Sequence, residues 1–153
     1  RTDNIVLNNA NTDESNLRNV NNQATNSISQ WNSFYKVINY CNTVLYYAPT
    51  AKENDANFLD FEYHAYLSEA LTIRAFSYFQ LVRTFGEVPL VLNPSKDDSQ
   101  DFNVAQNTER EVLDQIIADL KLAEIYARDT WPTIAETKGR VKKNSVRALF
   151  GDV

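Results

Sequence analysis

Only a few side chains in this sequence are of a type that could carry out nucleophilic or metal chemistry. The chain has one histidine, His64, and one cysteine, Cys41. A catalytic nucleophile needs a neighbouring base, and a zinc site needs several His or Cys ligands. We predict that His64 is a solvated or core-edge residue and that Cys41 packs as a small hydrophobe. The sequence therefore predicts no catalytic residues, no metal ligands and no cofactor.

Four oxygen-bearing side chains alternate along one segment in a way that could coordinate calcium. They are Asp97, Ser99, Asp101 and Asn103. The EF-hand pattern also needs a glycine at its sixth position and a glutamate at its twelfth, where this sequence has Phe102 and Thr108. We therefore predict a solvated acidic loop at this place.

Sugar binding is the other chemistry for which the chain has suitable side chains. Aromatic rings stack on the apolar face of a sugar, while amides and carboxylates bind its hydroxyl groups. Trp31, Trp131 and several tyrosines are the candidate rings. Residues 1–28 contain nine asparagines, which could supply amides. Because asparagine side chains bond the backbone in turns, we predict that residues 1–28 form an irregular segment.

Four segments with helical periodicity must position these side chains. Apolar residues recur at three- and four-residue steps over about residues 29–48, 58–85, 108–127 and 143–153. Pro49 and Gly86 are predicted to end the first two helices, and Thr108 with Glu111 has the spacing of a capping box. The connections are predicted as an extended strip at 88–94, an acidic loop at 95–107 and a long loop at 129–139. The fold class is therefore predicted to be all-α.

Arg74 is the one permanent charge within the apolar stripe of the second predicted helix. The stripe also contains Leu67, Leu71, Tyr78 and Leu81 at helical spacing. A packed interior accepts a guanidinium group only when it is paired. The sequence therefore predicts a buried ion pair at Arg74.

Composition narrows the class of protein further. A chain of 153 residues with 43% apolar residues is long enough for one domain with a core. The net charge of −5 offers no basic stripe for nucleic acid. No apolar run approaches the length of a membrane span. Since the chain opens on Arg1 without a signal peptide, we expect it to be part of a longer precursor.

Residues 69–90, EALTIRAFSYFQLVRTFGEVPL, resemble the helix and turn of the SusD/RagB family of outer-surface nutrient-binding lipoproteins. Three further segments resemble other helices of that family and occur in its order. They are 29–45 (SQWNSFYKVINYCNTVL), 111–123 (EVLDQIIADLKLA) and 139–153 (GRVKKNSVRALFGDV). The resemblance covers residue 29 to the end and only thinly residues 1–28.

The resemblance implies stacked antiparallel helical hairpins of the tetratricopeptide-like kind over residues 29–153, with long irregular loops. Arg74 and Asp119 match charged positions of the family's helices, which implies that they form the buried pair and lock one hairpin to the next. Arg140 could pair in a similar way or be exposed. Trp31 and Trp131 match packed positions, which implies that both belong to the core.

The resemblance also implies a function. Such proteins capture an oligosaccharide or other nutrient at the cell surface, are anchored by a lipid-bearing cysteine upstream, and serve a TonB-dependent outer-membrane transporter. Part of the binding site in relatives comes from the loop before the first helix. The candidate ligand-binding residues are Arg1, Asp3, Asn4, Arg18 and Asn22, of which the first three match a short "R.D[NE]" stretch. The alternatives left open are a solvated loop, a peptide ligand, or a helical scaffold that binds another protein.

Overall fold

The computed structural model describes residues 12–19, 21, 26, 27, 30–96 and 103–153. Within these residues the chain forms six helices and a single isolated bridge, between Val88 and Asn107. The helices are α1 (Thr12–Arg18), α2 (Asn32–Asn54), α3 (Asp60–Phe85), α4 (Glu109–Tyr126), α5 (Ile134–Gly139) and α6 (Lys143–Asp152). The chain divides into two compact units, Arg1–Ser33 and Phe34–Val153. The all-α prediction is confirmed.

Helix α1 lies inside the segment that the sequence predicted to be irregular, so that prediction is wrong for Thr12–Arg18. Its first turn carries Asp13 and Glu14, and its last turn carries Arg18. Negative charge at the amino end and positive charge at the carboxyl end both interact favourably with the helix dipole and so stabilise the helix. These charges offset the poor helix propensity of the neighbouring asparagines.

Helix α2 continues past Pro49, where the sequence predicted its end. Pro49 is exposed, so water can reach the backbone where proline donates no hydrogen bond. Lys52, in the last turn, donates to the carbonyl of Phe58, and its Nζ lies 3.0 Å from Oδ1 of Asp60. These contacts hold the last turn of α2 against the start of α3.

Helix α3 ends at the predicted place. Gly86 has φ of 75°, a left-handed value that favours glycine, and its N–H donates to the carbonyl of Val82 at 2.9 Å. The third predicted helix begins as expected, because the Thr108 side chain accepts from the N–H of Glu111 and Glu111 accepts from the N–H of Thr108. The side chain of Glu109 lies close to Gly86, so this turn brings the start of α4 beside the end of α3.

The described contacts show that α2 and α3 run antiparallel. Lys52 pairs with Asp60 near the turn between them. Further along, Asn42 bonds Arg74 at 2.8 Å, and near the far end the rings of Tyr35 and Tyr78 meet edge to face, 6.4 Å apart. Sequence numbers fall along α2 while they rise along α3, as an antiparallel hairpin requires.

Helix α4 packs antiparallel on α3 and more closely than α2 does. The hydroxyl of Ser68 donates to the carbonyl of Ala123 at 2.8 Å, and Arg74 meets Asp119 a turn away. The core lies mainly at this contact. Its largest fully buried side chains are Tyr78, Ile38, Leu81, Ile116, Leu120, Val88, Val112 and Val146.

The predicted long loop at 129–139 contains a short helix, α5, so the loop prediction is wrong for Ile134–Gly139. Thr133 and Glu136 form a reciprocal capping box at its start. Helix α6 then begins at the predicted Lys143 and packs on α4, where Arg147 bonds Glu124 at 2.7 Å.

Candidate functional site

Most of the predicted ligand-binding residues lie outside the described residues. Arg1, Asp3, Asn4 and Asn22 belong to this group. In the calcium-like pattern of the predicted acidic loop, Asp97, Ser99 and Asp101 also lie outside the described residues, and Asn103 lies within them. Arg18 is described and is exposed at the carboxyl end of α1. Its predicted role in binding a ligand stays a prediction.

The described amides near α1 largely bond the chain itself. Asn26 is buried and donates to the backbone carbonyl of Asp13 at 3.0 Å. The Asp13 carboxylate accepts from both the N–H and the hydroxyl of Ser27, and these hydrogen bonds lower the pKa of Asp13. The side chain of Asn21 donates to that of Asn16 at 3.4 Å. These contacts fasten residues 26 and 27 to the start of α1 and so shape the surface around the helix.

The predicted ion pair between Arg74 and Asp119 is confirmed. The Arg74 Nε lies 2.8 Å from Oδ2 of Asp119, and Nη2 lies 2.7 Å from Oδ1, so the contact is bidentate. The two residues are 7% and 3% exposed. A bidentate pair of this kind is the strongest hydrogen-bonded contact available to a guanidinium group. It joins α3 to α4 within the core.

Two further side chains complete this junction, and the sequence analysis did not find them. The remaining nitrogen of Arg74, Nη1, donates to Oδ1 of Asn42 on α2 at 2.8 Å. Gln115 on α4 donates to Oδ1 of Asp119 at 2.8 Å. Asn42 is 1% exposed and lies beside Cys41 on the buried side of α2. Asn42 lies on the apolar stripe of α2, and a buried amide needs a hydrogen-bond partner. That position in the sequence is the signal that could have indicated its role.

Asn42 also holds the predicted extended strip 88–94 that follows α3. Its amide donates to the carbonyl of Val91 at 2.9 Å. The Tyr78 hydroxyl donates to that same carbonyl and accepts from the N–H of Val91. Burial raises the pKa of Tyr78 to about 12, since the charged phenolate would lose its solvation. The Tyr35 hydroxyl donates to the carbonyl of Pro89 at 2.7 Å. The strip therefore leads into the predicted acidic loop from a fixed position.

Trp131 is a core residue, as predicted. It is 8% exposed, and its indole N–H donates to the carbonyl of Val141 at 2.9 Å. The guanidinium carbon of Arg140 lies 3.5 Å from the ring centroid, and that of Arg128 lies 4.9 Å away. These cations contact the ring where a sugar would have to stack. Trp131 is therefore not an open platform for a glycan.

Arg140 adopts the paired alternative rather than full exposure. Its Nε lies 3.1 Å from Glu69 Oε1, and Nη2 contacts Glu69 Oε2. These hydrogen bonds raise the pKa of Arg140. Glu69 also accepts from the N–H of Val141 at 3.3 Å. Together the contacts fasten the segment before α6 to the middle of α3.

An open cavity of about 540 Å³ lies between α2 and α3, and we name it the α2–α3 groove. Its lining is almost wholly apolar. The lining residues are Val37, Tyr40, Cys41, Val44, Tyr47, Ala48, Ala51, Phe58, Tyr66, Glu69, Ala70 and Ile73. The groove exists because α2 and α3 meet through long side chains at separated points and not through close backbone packing.

His64 and Cys41 have the structural surroundings predicted for them. The His64 ring stacks on that of Tyr126 with centroids 4.6 Å apart. Cys41 is 6% exposed, and burial raises the pKa of its thiol to about 11. Over the described ranges, no cluster of metal-binding side chains occurs and no helix has the length and apolar character of a membrane span.

A protein-family model matches almost the whole chain. It is the SusD-like model described as "Starch-binding associating with outer membrane", and it matches residues 1–150. The curated SusD-like protein P38 of Formosa agariphila is 33% identical over 95 residues. That match covers 62% of this chain and 17% of the relative.

Solved structures show the same helical arrangement. A SusD superfamily protein from Bacteroides vulgatus superposes with a TM-score of 0.79 at 25% identity, over 95% of this chain and 30% of that one. A laminarin-binding SusD-like protein superposes with a TM-score of 0.68 at 31% identity, over 80% of this chain and 25% of that one. This chain thus spans less than a third of either solved relative.

Proposed function

The chain belongs to the SusD/RagB family, and from that premise we propose that it is part of a protein that captures oligosaccharides at the outer surface of the outer membrane. The match of the starch-binding family model to residues 1–150 carries this proposal. The family is associated with the outer membrane. Anchoring through an upstream lipid-bearing cysteine and delivery to a TonB-dependent transporter complete the proposal. The protein binds its ligand and does not transform it.

The structure supports separate roles for the residues from Phe34 onward and for the asparagine-rich segment 1–28. Polar side chains at two places after Phe34 hold helices or segments together, namely the pair of Arg74 with Asp119 and the pair of Arg140 with Glu69. The buried Trp131 ring is in contact with two arginines. We therefore assign ligand contacts to the asparagine-rich segment. The assigned residues are Arg1, Asp3, Asn4, Arg18 and Asn22. Their guanidinium, carboxylate and amide groups suit sugar hydroxyls.

The test is calorimetric titration of the full-length protein with laminarin, starch oligosaccharides and a wider glycan panel. Arg18→Ala and Asn22→Ala are compared with Arg110→Ala, which removes an exposed arginine from α4 that pairs with Asp114. A hydrogen bond to a charged group is worth about 1.5–3 kcal/mol, so Arg18→Ala should weaken binding by roughly 10- to 150-fold. The control should bind like the wild type.

Two outcomes would overturn parts of this proposal. Binding that survives both variants would refute the assigned roles of Arg18 and Asn22. Absence of binding to every glycan would refute the oligosaccharide receptor and favour a peptide ligand or a scaffold role. The scaffold alternative has its own support in the apolar α2–α3 groove.

The proposed delivery to a transporter needs a separate test. The full-length protein, carrying an affinity tag, is purified from gently solubilised outer membranes. A TonB-dependent transporter should be recovered with it in a fixed ratio. Recovery of the tagged protein alone, under conditions that keep other membrane complexes intact, would refute that partner.

A further inference from the structure

A small cleft lies between the start of α3 and the segment that joins α4 to α6. Its volume is about 150 Å³, the room that about five water molecules take up at roughly 30 Å³ each. Unlike the α2–α3 groove, it is lined by polar and apolar surface in similar amounts. We name it the Trp131 cleft, and its lining includes Glu62, Tyr66, Arg128, Trp131, Glu136 and Arg140.

Arg128 brings unused hydrogen-bond donors to this cleft. Its guanidinium carbon lies 5.1 Å from the ring centroid of Phe61 and 4.9 Å from that of Trp131. Cation–π contacts with two rings therefore hold the guanidinium group in place. Within the described part of the chain, its N–H groups have no acceptor and it pairs with no carboxylate. These N–H groups are available to a ligand oxygen.

Glu62 and Glu136 bring unused acceptors. Oε2 of Glu62 accepts from the N–H of Leu59 at 3.2 Å. Oε2 of Glu136 accepts from the N–H of Thr133 at 3.1 Å and from its hydroxyl at 2.8 Å. These bonds fix each side chain near the start of its helix, while Oε1 of each carboxylate has no hydrogen-bond partner among the described residues. The two free oxygens can accept from hydroxyl groups of a ligand.

The wall of the cleft that contains Trp131 is already fixed in position. The indole N–H of Trp131 donates to the carbonyl of Val141 at 2.9 Å, and its backbone N–H donates to the hydroxyl of Thr137 at 3.0 Å. The carbonyl of Arg128 accepts from the N–H of Lys143 at 2.8 Å. A site whose groups are in place before binding loses less conformational entropy when a ligand arrives.

The charges in the cleft favour a neutral ligand. An anion would meet the carboxylates of Glu62 and Glu136, and a cation would meet the guanidinium groups of Arg128 and Arg140. A neutral molecule with several hydroxyl groups avoids both conflicts, because each hydroxyl can accept from a guanidinium group and donate to a carboxylate. Tyr66, which is 43% exposed, adds ring surface for the C–H groups of such a molecule.

We propose that the Trp131 cleft binds one neutral sugar ring, with Arg128 as donor and Glu62 and Glu136 as acceptors. The inference rests on the proposed capture of oligosaccharides and adds a subsite outside residues 1–28. Trp131 does not stack on the sugar in this arrangement. Its ring supports the guanidinium group of Arg128, which contacts the ligand.

Calorimetric titration of the full-length protein with laminarin and starch oligosaccharides, which are neutral, tests the subsite. Arg128→Ala should weaken binding by about 10- to 150-fold, the range for one lost hydrogen bond to a charged group. Glu136→Gln keeps an oxygen for Thr133 but replaces the free acceptor, so it should weaken binding by roughly 2- to 13-fold. The matched control is Arg83→Ala, which removes a guanidinium group 5.1 Å from the Phe79 ring and outside the cleft. This control should bind like the wild type.

The outcomes separate this subsite from the proposed function. Unchanged binding of the neutral oligosaccharides by folded Arg128→Ala, checked by circular dichroism, would overturn the subsite and leave the oligosaccharide receptor standing. If Arg128→Ala does not fold, unchanged binding by Glu136→Gln has the same meaning. Alginate oligosaccharides serve as an acidic probe, and a loss of binding confined to them would overturn the neutral ligand. Absence of binding to every glycan by the wild type would overturn both proposals.

Photo-crosslinking shows whether the sugar contacts the cleft directly. A laminarin oligosaccharide that carries a diazirine group should label the peptide containing residues 127–140 in the full-length protein. Unmodified laminarin oligosaccharide should compete with this labelling, and Arg128→Ala should reduce it by about tenfold or more. Labelling confined to other peptides would overturn the subsite.

Discussion

Replacing Arg74 by leucine tests whether the three-helix junction is central to stability. The substitution keeps an apolar side chain on the α3 stripe but removes all three described hydrogen bonds of the guanidinium group. Asp119 then stays buried with the amide of Gln115 as its remaining described partner. Asn42 loses its donor but keeps its own bond to the carbonyl of Val91.

The expected loss in the free energy of unfolding is about 3–5 kcal/mol, the usual cost of removing one partner from a buried ion pair. The loss is large because a buried carboxylate is left without a counter-charge, and the added leucine methyl groups offset only part of it. Replacing both charges, in Arg74→Leu with Asp119→Leu, should therefore cost less than Arg74→Leu alone. About 1–3 kcal/mol should remain, since the oxygen of Asn42 loses its donor.

Urea denaturation followed by circular dichroism of the full-length protein measures these differences. The control is the exposed pair on α4, in which Arg110 Nε lies 3.1 Å from Asp114 Oδ2. Arg110→Leu should change stability by less than about 0.5 kcal/mol, as expected for an exposed pair four residues apart on a helix. The reasoning is refuted if Arg74→Leu costs no more than that control. It is also refuted if the double variant is less stable than Arg74→Leu.

Three smaller perturbations test other features of the described fold. Gly86→Ala should lower the free energy of unfolding by about 1–3 kcal/mol, because Gly86 has φ of 75° and the new Cβ would lie 3.0 Å from a carboxylate oxygen of Glu109. The control, Gly139→Ala, should be neutral or stabilising in the same denaturation assay, because a Cβ there meets no atom within 4 Å. Burial raises the pKa of Tyr78 to about 12, so its contribution to stability is present below pH 10 and is lost as pH rises towards 12. The Tyr78→Phe variant should therefore lose less stability over that pH range than the wild type does. An equal loss in the two proteins would contradict the assignment. Cys41 should not react with Ellman's reagent at pH 8 until the protein unfolds, and fast reaction of the folded protein would show that its thiol is accessible.

The sequence predicted those features that depend on local spacing. The capping box at Thr108, the glycine stop at Gly86 and the need of Arg74 for a partner all follow from residue types within one or two helical turns. The choice of Asp119 as that partner came from the family resemblance, because sequence spacing alone does not say which distant carboxylate meets Arg74.

The failures have two different causes. Helix α5 lies inside the predicted loop, although Thr133 and Glu136 have the same capping-box spacing as Thr108 and Glu111. Pro49 predicts a helix end from local sequence, but tertiary contacts of Lys52 stabilise the turn of α2 that follows it. The groove could not be predicted at all, since an apolar stripe has the same pattern whether its partner is present or absent.

The polar junction explains why these helices pack in one register and not in several. Apolar side chains recur on every turn of α2, so a slip of one turn would still bury an apolar surface. Such a slip would place Ile38 or Tyr46, in place of Asn42, opposite Arg74, and Nη1 would lose its acceptor. A slip of α4 would replace Asp119 with Gln115 or Ala123 and leave the buried guanidinium group without a counter-charge. Because Asn42 also bonds Val91, the correct register of α2 fixes the position of the strip that follows α3. The buried charges therefore contribute specificity, which the apolar stripes alone do not provide.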